Sequence, residues 1–204
     1  MKNVEELSQL LTDVRMLEQQ MVNDPRRMYS SAVSNYIKFK SEKEDMENTN
    51  NDLTYERAVE KILQPSRKIP TWNDSPQPRA SLVIGSMTRY ERKAQVGANA
   101  IVLANFECQV NGNHRFFNSR KTHQNYVEAH HLIPIAYQGI FEHGIDIVEN
   151  IVALCPACHR CIHYAEDRSR MELVDQLFKK ITPNLNRVGI EIKRKELLEL
   201  YQIV

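Results

Sequence analysis

Glu128-Ala129-His130-His131-Leu132-Ile133-Pro134, then Glu149-Asn150-Ile151-Val152-Ala153-Leu154 and directly Cys155-Pro156-Ala157-Cys158-His159-Arg160-Cys161-Ile162-His163, is the part of the chain from which the fold reads outward. Residues Val127 to Ile133 suit a strand that delivers His130 and His131 at its end, on opposite faces because side chains alternate along a strand. Asn150 stands before a second apolar run, Ile151 to Leu154, and Pro156 is placed to open a helix in its first turn. On that helix His159 and His163 are four residues apart, hence on one face and one turn apart. The order is strand, loop, strand, helix, with imidazole nitrogens converging from the first strand and the helix. The plain alternative is a pair of helical histidines exposed on the outer face of a zinc finger.

All four cysteines, Cys108, Cys155, Cys158 and Cys161, lie in the C-terminal half, three of them in one short stretch beside histidines. In a reducing compartment that clustering points to metal rather than to disulfides. No run approaches the roughly 18 apolar residues of a membrane span, and Glu5 and Glu6 interrupt the apolar block that a signal peptide would need. The chain therefore reads as cytoplasmic, with no membrane partner.

Net charge is only +1 over 204 residues, but its distribution is uneven. Residues 66–125 carry nine bases against three acids, an excess of +6, whereas residues 1–65 carry nine against twelve, or −3. Positive charge thus sits just upstream of the histidines, where a polyanion would be met. Upstream of that, Val4, Leu7, Leu11, Val14, Leu17 and Met21 recur at helical spacing until Asn23-Asp24-Pro25. A second helix is expected through Met28 to Phe39 and a third through Leu53, Tyr55, Val59, Ile62 and Leu63. Pro65, Pro70, Pro76 and Pro78 then exclude regular helix and mark a linker. A further helix is expected from about Met87 to Phe106. Met171, Val174, Leu177 and Phe178 fall at helical spacing, either continuing the helix from Pro156 or forming a separate one, and Glu196 to Tyr201 suit a last helix. The expected organisation is an N-terminal helical domain over 1–64, a Pro-rich linker over 65–84, the site-bearing domain over 85–182 and a helical extension over 183–204.

The ordered combination of the three quoted pieces resembles the HNH nuclease superfamily, and within it the zinc-containing, McrA-like bacterial restriction branch, over about residues 85–164. The resemblance implies an α+β fold: a mainly helical chain with a ββα-metal module stabilised by a structural zinc, plus the N-terminal helical unit, which would contact DNA or dimerise. It makes His131 the general base, His130 a ligand of the catalytic metal, and His159 and His163 further ligands. Asn150 corresponds to the asparagine that holds the loop carrying the base, and that loop, Leu132 to Glu149, is longer than in compact members. Arg160, beside the site, would steady the phosphate. For the structural zinc, Cys155 and Cys158 form one CxxC half and Cys108 supplies a third ligand. Where the family commonly has a second CxxC, this chain reads Cys108-Gln109-Val110-Asn111-Gly112-Asn113-His114, which makes His114 the fourth ligand and Cys161 its rival.

The function so implied is a metal-dependent endonuclease that hydrolyses double-stranded DNA, in restriction or anti-phage defence, with a double-strand cut favouring a homodimer. The catalytic ion would be Mg2+, Mn2+, Ni2+ or Co2+, with imidazole ligands suiting the transition metals better than magnesium. The alternatives are a homing or mobile-element nuclease and a zinc-stabilised DNA-binding module that does not cut.

Overall fold

A helix over residues 53–62 starts the described part of the site-bearing unit (α1). The computed structural model describes residue 13 and residues 53–63, 69–79, 82–84, 87–90 and 92–203. By its internal contacts the chain divides into two units, Met1–Thr54 and Tyr55–Val204. The two helices expected before residue 40, and with them the N-terminal unit's expected DNA-binding or dimerising role, lie outside the described residues. Tyr55 and Val59 of α1 and Leu63 just past its end are buried, the spacing of one helical face turned into a core.

Two short strands follow, β1 (Leu82–Ile84) and β2 (Met87–Arg89), paired antiparallel with Ile84 opposite Met87. The helix expected from Met87 therefore begins later, as α2 (Ala94–Leu103).

The second hairpin, β3 (Glu128–His131) and β4 (Ile151–Leu154), is the centre of the unit. Its register sets Glu128 opposite Leu154, Ala129 opposite Ala153, His130 opposite Val152 and His131 opposite Ile151. Every residue of both strands is buried, as is expected of a sheet covered on both faces. α2 packs against it so closely that a Cβ on Gly97 would lie 2.9 Å from Val59 Cγ2 and 3.1 Å from Ala129 Cβ. Glycine at that position lets α1, α2 and the hairpin meet.

Helix α3 (Pro156–Tyr164) follows β4 directly, with Cys155 as its N-cap and Pro156 in the first turn. Ala165 and Glu166 are extended, so the long pattern beyond is a separate helix, α4 (Asp167–Arg187). Its buried residues, Leu173, Val174, Leu177, Ile181 and Leu185, form one stripe facing the core. α4 runs without interruption through residues 182 and 183, where the sequence reading set the start of a C-terminal extension. A last helix, α5 (Arg194–Leu200), returns its buried Leu197 and Leu198 to the same core.

The loop between β3 and β4 contains two 3-10 turns, Ile135–Ile140 and Val148–Asn150. The linker expected over 65–84 ends in strand β1, and its described residues 69–79, which have no regular structure, are fastened to that loop. Gly144 donates its N–H to the Gln77 carbonyl at 2.7 Å, Arg79 Nε donates to the Glu142 carbonyl at 3.0 Å, and Asn73 donates from both its backbone and its side chain to the buried carboxylate of Glu149. A carboxylate buried to that degree needs such partners.

Candidate active site

Strand alternation sends the two adjacent histidines of β3 to different places. His130 meets His159 and His163 of α3; the three ring centroids are 5.1, 4.9 and 5.0 Å apart, nearly an equilateral triangle. His131 turns the other way, with Nε2 2.9 Å from Asp146 Oδ1 and its ring 5.9 Å from that of Tyr55. Asp146 is held in turn by the Lys93 backbone N–H, which donates to its other oxygen at 2.8 Å. His130, His131 and His159 are buried, while His163 is exposed, so the triangle opens to solvent on the α3 side.

The donor set fits a divalent cation. His159 Nε2 and His163 Nε2 face each other at 3.3 Å. That is the edge of a tetrahedron whose metal–nitrogen bonds are ~2.0–2.1 Å, about 3.3 Å. The other nitrogen of His159 is already engaged: Nδ1 is 2.7 Å from Glu128 Oε2 and 3.2 Å from Glu56 Oε1. A carboxylate accepting the remote N–H of an imidazole fixes its tautomer and leaves the opposite lone pair for a metal. Without an ion, burial pushes the His159 pKa down, but Glu128 and Glu56 outweigh it and hold the ring up at about 9. His130 goes the other way, well below 6.5, because of burial and the neighbouring His159 and His163.

Asn150 lies under this site and is fully buried. Its Oδ1 accepts the Ile133 N–H at 2.8 Å, and its Nδ2 donates to the carbonyls of Ile133 and Ile145, both at 2.9 Å. It therefore pins both ends of the segment that carries Asp146 next to the end of β3. Arg160 is exposed on α3, its guanidinium 5.9 Å from the Tyr164 ring, and it does not enter the histidine triangle.

A second cluster brings together Cys108, His114, Cys155 and Cys158. His114 Nδ1 is 3.4 Å from Cys158 Sγ and 3.6 Å from Cys155 Sγ. A tetrahedral zinc with bonds of ~2.3 Å to sulfur and ~2.0 Å to nitrogen gives edges of about 3.5 Å between the two kinds of donor. The sulfurs compete for protons: the Cys158 thiol holds Cys108 down to about 4, while that same contact and burial raise Cys158 itself. A dication replacing those protons removes the conflict, so the set could hold zinc. Cys161 stands outside this group, among the described residues, and His114 stands inside it.

Residues 108–165 match the sequence profile of the family described as HNH endonuclease. Over that segment, and over that segment alone, the chain is similar to an HNH endonuclease domain. The chain is also 40% identical, over 63 residues, to the type IV methyl-directed restriction enzyme EcoKMcrA of Escherichia coli strain K12. That stretch is 31% of this chain and 19% of the relative, so the match spans about a fifth of the relative's length.

The site as folded contains polar residues that the sequence does not single out. Glu128 was open to inference, since it lies two positions before His130 on a strand and must share its face. Glu56 reaches the site from α1 and Asp146 from the loop. Neither has a spacing that would single it out. Among the described residues, no helix is long and apolar enough to cross a membrane.

Proposed function

We propose that this chain is a metal-dependent DNA endonuclease of the restriction type, cutting phosphodiesters at the histidine triangle. The observation that supports this best is the convergence of His130, His159 and His163, with the lone pairs of the last two facing at 3.3 Å. A binding module has no use for such a set, nor for a further imidazole beside it, which disfavours the non-cutting alternative.

In this reading His130, His159 and His163 hold one divalent ion, with His163 on the open side where substrate enters. The ion, when bound, supplies Lewis-acid stabilisation of charge on the phosphate and the departing oxygen. His131 acts as general base. Asp146 accepts its Nε2–H, which orients the ring and leaves Nδ1 to take a proton from the attacking water. Asn150 keeps that geometry by tying Ile133 to Ile145. Arg92, whose guanidinium lies 4.7 Å from the centroid of the Tyr55 ring beside His131, and Arg160 on the exposed face of α3 supply cations for the backbone phosphates. Cys108, His114, Cys155 and Cys158 hold a structural zinc that anchors the start of α3. The protein is read as cytoplasmic, with double-stranded DNA as its substrate and a homodimer as the arrangement for cutting both strands.

Purified full-length protein is incubated with plasmid, methylated or unmethylated, with Mn2+ or with chelator. Linear or nicked product that needs the ion and disappears in His131→Ala, with circular dichroism unchanged, is the expected result. Binding without cutting under every metal tested refutes it. A preference for methylated plasmid would extend to this chain the methyl direction named for the relative.

A further inference from the structure

The last helix reaches back into the histidine triangle through a single side chain. Tyr201, the residue that ends α5, is buried, and its hydroxyl lies 2.8 Å from the Leu132 carbonyl and 3.0 Å from His130 Nε2. Its position is fixed from the backbone as well: Arg170 Nη2 donates to the Tyr201 carbonyl at 2.7 Å, and the Tyr201 N–H bonds to the Leu198 carbonyl at 3.0 Å.

A phenol has one proton to give. A carbonyl oxygen can only accept, so at Leu132 the proton must come from Tyr201. The hydroxyl oxygen is then left as an acceptor toward His130, and the 3.0 Å contact is satisfied only if Nε2 carries the ring's hydrogen. An imidazole that ligates a metal is neutral and has one N–H, so with the hydrogen on Nε2 its lone pair is on Nδ1.

We propose that Tyr201 is a positioning residue that selects the Nε2–H tautomer of His130 and so presents Nδ1 to the metal. His159 is set the opposite way, since Glu128 takes its Nδ1–H and leaves Nε2. The two buried ligands therefore offer different nitrogens, each chosen by a partner on the side away from the ion. The C-terminal helix, which carries no ligand, acts as part of the site. The tautomer stands on the hydrogen bonds alone. Its meaning for metal binding rests on the proposed function.

The test is nitrogen-15 NMR of the histidine rings in the full-length chain, loaded with zinc at the cysteine site and free of metal at the triangle, followed by Mn2+ titration. His130 in the native protein should show hydrogen on Nε2 alone. In Tyr201→Phe, which keeps the ring and removes the hydroxyl, that preference should collapse to a mixture, and Mn2+ affinity should fall about ten- to a hundred-fold, as is typical for loss of a group that orients a ligand. Zinc content should not change, and a loss of packing alone would not move the tautomer. Hydrogen on Nδ1 in the native protein, or a Tyr201→Phe spectrum with His130 unaltered, overturns the proposal. A native spectrum with the Nε2–H form in a chain whose triangle takes up no Mn2+ would support the tautomer assignment and refute the proposed function instead.

Discussion

Replacing Asn150 by alanine strips three hydrogen bonds at once from a fully buried position. The Ile133 N–H loses its acceptor, and the carbonyls of Ile133 and Ile145 lose their donor. A buried backbone group left unpaired costs about 1–3 kcal/mol. With three such groups, and some relief from water entering the space left behind, the expected loss is about 3–5 kcal/mol, a large share of the roughly 5–15 kcal/mol that holds a typical domain together. Asn150→Asp should do no better. It keeps an acceptor for Ile133 N–H but puts a second oxygen against two carbonyl oxygens. Urea unfolding of the zinc-loaded protein, followed by circular dichroism, measures the difference. Cleavage should fall along with stability, because the same bonds hold Asp146 and His131 together. A loss under about 1 kcal/mol in Asn150→Ala would refute the reasoning, since it would mean that the three bonds are not made or are readily replaced.

In protein without metal at the triangle, His159 sits at about 9 against an ordinary 6.5, so its contribution is complete below about pH 6.5 and is lost as pH rises through 9. The shift corresponds to about 3 kcal/mol. Glu128→Gln should flatten the fall in urea midpoint between pH 6.5 and 9, and equal slopes in both proteins would contradict the assignment. His130, held low, destabilises the fold only as pH drops below 6.5, outside that window. Chelating the zinc should lower the melting temperature sharply while leaving Cys161→Ser indistinguishable from the native chain; Cys158→Ser should behave as the chelated protein does, read by zinc content and thermal melting. Gly144→Ala forces a Cβ to within 2.5 Å of the Pro78 carbonyl oxygen, a backbone atom that cannot swing aside. Its expected effect is detachment of residues 69–79, seen as faster proteolysis there with the zinc site intact.

The parts of this structure that follow from local periodicity were open to reading from the sequence. Strand alternation separated His130 from His131, the four-residue step paired His159 with His163, and Pro156 after a short apolar run set the start of α3. His114 came from the family resemblance rather than from spacing, and the fold does gather it with Cys108, Cys155 and Cys158. What escaped was set by tertiary packing. The helix expected from Met87 gave way to a hairpin because helical spacing among a few apolar residues cannot be told from a short paired strand. Asp146 sits in a loop without regular spacing, and Tyr201 lies 71 residues from the histidine it touches. No pattern in the chain links them. Their partners become visible only when hydrogen bonds are followed outward from the rings.

Crystals of the full-length protein soaked in Mn2+, with anomalous scattering recorded at the manganese edge, test the account most directly. The expected result is one manganese peak within about 2.0–2.3 Å of one ring nitrogen from each of His130, His159 and His163, with His131 unligated and hydrogen-bonded to Asp146. Manganese bound elsewhere, or a peak that includes His131 and omits His130, would contradict it.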